Sequence, residues 1–169
     1  TLRAITRLHL RLGEYESAGF YAERLGGSWG RVALELVGHR KDERMLNRGR
    51  LSRRFLELQR ARLDTLRREA AEAPEVATLA KVIEAEILDV IGREAEAMAI
   101  MDGIDLARLK DPFTLHLLSG RPLGMLADLG MGTRRLEALA ALAHHPSLTE
   151  LDRLRFANRL IRDLLRGAS

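Results

Sequence analysis

The chain has 169 residues, 46% of them hydrophobic, and a formal net charge of +4, which is the length of about one domain with enough apolar material for a substantial core. It contains no cysteine, which excludes disulfides, thiolate chemistry and cysteine-ligated zinc. No apolar run approaches the roughly 18 residues that a membrane span requires.

Leu, Ala, Arg and Glu dominate, and all four favour helix. Thr1 to Leu12 places Leu2, Ile5, Leu8 and Leu12 at helical spacing, and Gly13 ends this segment. A second helix is expected from Glu14 to Leu25, with Ala18, Tyr21, Ala22 and Leu25 on one face, stopped by Gly26 and Gly27. Ser28 is an N-cap residue type for a third helix, which carries Trp29, Val32, Ala33, Leu36 and Val37 and should end at Gly38. From Asp42 to Ala73 the chain reads as helix almost throughout, with Gly49 as a possible break point and Pro74 as its stop.

The next helix is expected from Glu75 to Ile91, ended by Gly92, with a short partner from Glu94 to Met101 and a single turn over Leu106 to Leu109. Phe113 to Leu118, Pro122 to Leu129 and Thr133 to Ala143 follow. Pro146 breaks the last of these. Ser147, with Glu150 three residues on, matches a capping box for a final helix that ends at Gly167. No segment alternates as a strand does. The expected fold class is all-α, a single domain over 1–169 built as hairpins that bury together what none buries alone.

One pattern recurs: a helix ends in Gly, a residue or two follows, and a second helix opens with small residues. It runs Gly13-Glu14-Tyr15-Glu16-Ser17-Ala18, then Gly92-Arg93-Glu94-Ala95-Glu96-Ala97, then Gly132-Thr133-Arg134-Arg135-Leu136-Glu137-Ala138. Gly supplies the positive φ at a helix end, and the small Ala lets two helices approach. These residues resemble the tetratricopeptide repeat, a helix–turn–helix unit of about 34 residues. Gly13, Tyr15 and Ala18 match its inter-helix Gly, Tyr and small residue, and Trp29, Val32 and Leu36 resemble the opening of a following repeat, with Ala33 in place of a Gly. The resemblance implies a right-handed superhelical α-solenoid, like those appended to bacterial transcriptional regulators, that binds a peptide or protein partner in a groove. Carried onto this chain, it places Arg3, Arg7 and Arg11 in that groove. Their spacing of four puts them on one helix face by geometry alone, suited to an acidic peptide or a carboxylate terminus.

Charge is unevenly spread. Arg40 to Arg68 holds eleven Lys/Arg against four Asp/Glu, a local +7 that leaves −3 for the remainder. Arg48, Arg50, Arg53, Arg54, Arg60, Arg62, Arg67 and Arg68 are its arginines from the centre onward. Three readings fit them: a face solvated or paired with Glu57, Asp64 and Glu69, an acidic protein partner, or nucleic acid phosphate. Arg48, Arg53, Arg54, Arg60 and Arg67 are the candidate contacts for phosphate or an acidic partner. Phe55 is the only aromatic among them, which gives no stacking platform.

No catalytic constellation emerges. His144-His145 is the only histidine pair, and adjacent helical residues point about 100° apart, so a role at the helix C-terminal dipole is expected rather than chelation. His9, His39 and His116 are scattered. Glu84, Glu86 and Asp89 read as surface charge, the Gly120–Gly124 and Gly130–Thr133 stretches as inter-helix turns, and Met98, Met101, Met125 and Met131 as core filler. No cofactor and no metal are expected. The chain opens on Thr-Leu-Arg without an initiator Met or a leader-like apolar segment, so a piece of a longer cytoplasmic protein is expected, with the oligomeric state left open.

Overall fold

The computed structural model describes residues 1–46, 51–118, 120–128 and 132–167. These residues are helical, with no strand among them. In chain order the helices are α1 (Leu2–Leu12), α2 (Tyr15–Leu25), α3 (Gly27–Arg44), α4 (Arg53–Glu72), α5 (Ala77–Val90), α6 (Glu94–Asp102), α7 (Pro112–Leu118), α8 (Arg121–Asp128), α9 (Gly132–Ala143) and α10 (Glu150–Gly167), with a 3-10 turn at Leu106–Arg108. The chain divides into two compact units, Thr1–Ile100 and Met101–Ser169.

In the first unit each helix packs on the next, from α1 through α5, and α3 also reaches α5. Two of the glycine turns have the geometry the sequence asks for. Gly13 sits at φ 73° and ends α1, and the following Glu14 amide donates to the His9 carbonyl at 2.9 Å. Gly92 sits at φ 78°, and the following Arg93 amide donates to Leu88 at 2.8 Å. In both, a left-handed residue lets the next amide satisfy a carbonyl five residues back, which closes the helix end. Ala18, Ala22 and Ala97 are fully buried on the helices that follow. The centre of the unit is aliphatic: Leu36, Leu63, Leu66, Ile83, Ile87 and Leu88 are essentially inaccessible.

In the second unit α7 packs on α8, α8 on α9, and α9 on both α10 and the 3-10 turn. Asp111 caps α7, accepting from the Thr114 amide at 3.0 Å and the Thr114 hydroxyl at 2.7 Å, with Pro112 at the first helical position. Phe113, Leu115, Leu118, Leu123, Met125, Leu126, Leu139, Leu142, Leu148 and Phe156 form the core.

Several boundaries differ from the sequence reading. Gly38 does not end α3, which continues through it to Arg44. A Cβ at that position would overlap the guanidinium of Arg62 from α4, so this glycine is a packing notch and not a stop. Ser28 does not cap α3. It lies within the first turn, where its hydroxyl accepts from Arg31 at 3.0 Å. The stretch from Asp42 to Ala73, expected to be helical almost throughout with a break near Gly49, is the end of α3 and a separate α4, which Ser52 starts by accepting the Phe55 amide at 3.1 Å. The final helix is capped by Thr149 and not by Ser147: the Thr149 hydroxyl accepts from the Asp152 amide at 3.2 Å. Leu148 is buried, which carries the chain past Ser147 before α10 can begin. Gly132 opens α9 instead of closing a helix, and Gly124 lies inside α8 and not in a turn. Gly49, Gly130 and Met131 lie outside the described residues.

Glycine positions separate cleanly by what a methyl would meet. A Cβ at Gly30 would stand 2.6 Å from the Ala22 carbonyl oxygen, where α3 crosses α2, whereas nothing lies within 4 Å at Gly124. Gly30→Ala should destabilise the protein by about 1–3 kcal/mol through overpacking. Gly124→Ala should stabilise it by about 0.5–1 kcal/mol by relieving the backbone-entropy cost of a helical glycine. Urea unfolding of the two variants should give midpoints displaced in opposite directions.

Candidate functional site

The outer face of α1 gathers the first set of arginines. The helix turns Ile5 and Thr6 toward α2, and Thr6, fully buried, bonds the Leu2 carbonyl at 2.9 Å. Arg3 and Arg11 are exposed and Arg7 is half-buried on the same side. Leu8 and Leu12, which the spacing assigned to the buried stripe, are instead 53% and 61% exposed. The helix thus exposes cations along one side and aliphatic side chains on the adjoining one. The Arg3 guanidinium lies 4.9 Å over the Trp29 ring, a cation–π contact that fixes its position.

The charges on this strip work against the helix that carries them. α1 contains no acidic residue, and its first turn, where the helix dipole favours anions, has none either. Arg3, Arg7 and Arg11 stand four apart, the spacing at which like charges repel by about 0.2–0.5 kcal/mol per pair. No carboxylate lies within ion-pair distance of Arg3 or Arg11 among the described residues. His9, on the neighbouring side, is otherwise engaged: Nδ1 is 2.6 Å from Glu14 Oε2, and the ring stacks on Tyr21 at 5.2 Å.

The basic stretch is placed differently. Among the described residues, several of its arginines pair with carboxylates. Arg53 pairs with Glu57 at 2.9 Å on α4. Arg67 donates to Glu84 on α5 at 2.7 Å. Arg62 donates to Glu35 at 3.0 Å and to Asp42 at 2.7 Å, both on α3. Arg40 contacts Glu86 on α5. Arg54 and Arg60 are exposed on α4. Arg48 and Arg50 lie outside the described residues.

Glu84 and Glu86 are therefore not surface charge. Both are buried, and Glu86 is 1% exposed. They belong to a polar layer between α3, α4 and α5 that spacing could not reveal, because its partners are 17 and 46 residues away in sequence. His39 and Gln59 are fully buried there. His39 Nδ1 lies 2.8 Å from Gln59 Oε1, and Gln59 Nε2 donates to Asp42 at 3.4 Å. The amide orientation thus makes Nδ1 a donor and turns Nε2 toward Glu43, whose Oε2 is 4.0 Å away. Donor atoms of His39, Glu43 and Glu86 lie within 4.8 Å of one another, a separation that a divalent cation can span. The Arg40 guanidinium is already against Glu86, so the protein itself supplies counter-charge to that carboxylate.

His145 corrects a second reading. It is buried, Nδ1 accepts from the Ser147 amide at 3.2 Å, and Nε2 donates to the Leu106 carbonyl at 3.1 Å. This is the neutral Nε2–H tautomer pinning the α9–α10 turn to the 3-10 segment, and not a cation at a helix dipole. A cavity of about 480 Å³ opens beside it, lined by Leu106, Leu118, Leu123, Leu126 and Leu142 and by Arg134, which bonds Asp102 at 3.2 Å. No family model, curated protein or solved structure matches the chain.

Arg31 on α3 grips Glu69 on α4 through two bonds of 2.5 and 2.9 Å. This donation holds the Glu69 carboxyl below its ordinary value of 4.5. A carboxyl whose pKa is depressed on folding adds stability that is present above its unfolded value and is lost as pH falls through the folded one. Glu69→Gln should therefore be least stable relative to the parent at pH 7, and the gap should narrow as pH falls below 4.5 and through the lowered folded value. Denaturant titrations at pH 7 and pH 3 check the sign.

Proposed function

We propose that this chain is a protein-interaction scaffold of the tetratricopeptide kind, a regulatory piece of a larger bacterial protein such as a transcription regulator. Its partner segment is acidic and partly apolar, and it docks on the outer face of α1. The observation that carries the reading is that α1 exposes both cations, Arg3 and Arg11, and large apolar side chains, Leu8 and Leu12. Carboxylates spaced along a peptide would accept charge-assisted bonds from the arginines, while its apolar side chains cover the leucines. A ligand there would also relieve the repulsion between cations four residues apart.

The recurrence of the Gly13 and Gly92 turns, each followed by a buried alanine, supports the repeat character. The competing reading, nucleic acid held by Arg40 to Arg68, draws less support. Arg40, Arg53, Arg62 and Arg67 already face carboxylates, and phosphate would have to displace those partners before binding.

Fluorescence anisotropy with labelled peptides tests the proposal. An acidic amphipathic peptide should bind, and an isomer with Glu and Asp replaced by Gln and Asn should not. Arg3→Ala and Arg11→Ala should each weaken binding by about tenfold. Arg11→Ala should leave the melting temperature unchanged, whereas Arg3→Ala also loses the contact over Trp29 and should lower it slightly. Absence of binding, or affinity indifferent to both substitutions, overturns the α1 reading. Preferential binding of duplex DNA with a steep salt dependence would put the nucleic acid reading in its place.

A further inference from the structure

α10 is a helix with two faces of different purpose. Its inner side carries Phe156, which is buried, and Asp163, which accepts from Arg135 of α9 at 2.8 Å. Its outer side carries Leu151, Leu154, Ile161 and Leu165, which are 59%, 55%, 53% and 68% exposed. With exposed Asn158 these outward residues follow one another at intervals of three, four, three and four. For these five residues, that is the 3.5-residue repeat of a coiled-coil seam with Leu151, Asn158 and Leu165 at position a and Leu154 and Ile161 at position d, while Leu164, 51% exposed, flanks it at g. In that frame Phe156 and Asp163 fall at f, the position farthest from a seam, and these are the side chains that meet the core and α9. The pattern in the sequence and the orientation of the helix agree independently.

We infer that the outer face of α10 pairs in parallel with the same helix of a second copy of this chain. The flanking charges select the occupant and its direction. Glu150 stands at g, and Arg155 and Arg162 stand at e. A parallel pairing sets g of one helix against the following e of the other, so Glu150 faces Arg155 of the second copy twice, by symmetry. An antiparallel pairing sets e against e and opposes Arg155 to Arg162. Arg155 now rests 3.4 Å from Asp152 on its own helix, an exposed contact that it can exchange. Asn158, the one polar residue in the seam, meets its own copy in a parallel two-stranded pairing and hydrogen-bonds it, which fixes register and disfavours larger assemblies. The helix is braced on α9 beforehand, so the seam does not bear the ordering cost that makes isolated helices of this length marginal.

Sedimentation velocity and light scattering of the 169-residue chain over a wide concentration range read the outcome. A monomer–dimer equilibrium is expected. Leu154→Glu and Ile161→Glu, both at exposed positions, should give monomer at every concentration with an unchanged circular dichroism spectrum and melting temperature. Glu150→Arg should weaken the dimer, and Glu150→Arg combined with Arg155→Glu should restore it. Because the chain has no cysteine, direction can be read by oxidation. Leu151→Cys alone should form a covalent dimer, whereas an antiparallel pair would link Leu151→Cys to Leu165→Cys in a mixture of the two variants. A strict monomer, a dimer indifferent to Leu154→Glu and Ile161→Glu, or crosslinking only in the mixture overturns the inference.

Discussion

The arrangement of the first unit turns on the Arg62 guanidinium. It lies in the notch left by the missing side chain of Gly38 and reaches from α4 to Glu35 and Asp42 on α3. Asp42 is shared with Gln59, which in turn holds His39. A half-buried guanidinium and a fully buried imidazole are costly to remove from water, and they persist only where hydrogen-bond partners meet them in a fixed geometry. Aliphatic contacts between helices tolerate sliding and rotation, whereas a donor fork facing two carboxylates tolerates little. The register of α4 on α3 is set by this layer, while Leu36, Leu63 and Leu66 supply the apolar burial around it.

The same layer changes the meaning of the charge pattern. A run with a local +7 invites a reading as a cationic surface, but Arg40, Arg62 and Arg67 lie across helix–helix boundaries and meet acids from other helices. Their charge is spent internally. Apolar surface remains exposed among the described residues, on α1 and α10 as elsewhere. α1 exposes Leu8 and Leu12 beside arginines, and α10 exposes a leucine-rich seam.

Much of this was legible in the residues. Helix formers, glycines at the ends of α1 and α5, and Pro74 mark the elements by local physics, since a positive φ or a missing amide acts within a few residues. The caps Ser52, Asp111 and Thr149 are not singled out by the sequence, because several serines, threonines and aspartates ahead of these helices compete for that role. The choice between Ser147 and Thr149 fell to the burial of Leu148, which is a tertiary fact.

The sequence by itself determined that the described chain is helical and where glycine can close a helix, because propensity and left-handed backbone are properties of one residue and its near neighbours. Only the tertiary structure decided that Gly38 is a seat for Arg62, that Glu84 and Glu86 are buried, and that Leu8 and Leu12 face outward. Each of these depends on which distant helix occupies the space opposite a side chain, and periodicity along one helix carries no information about the helix beside it.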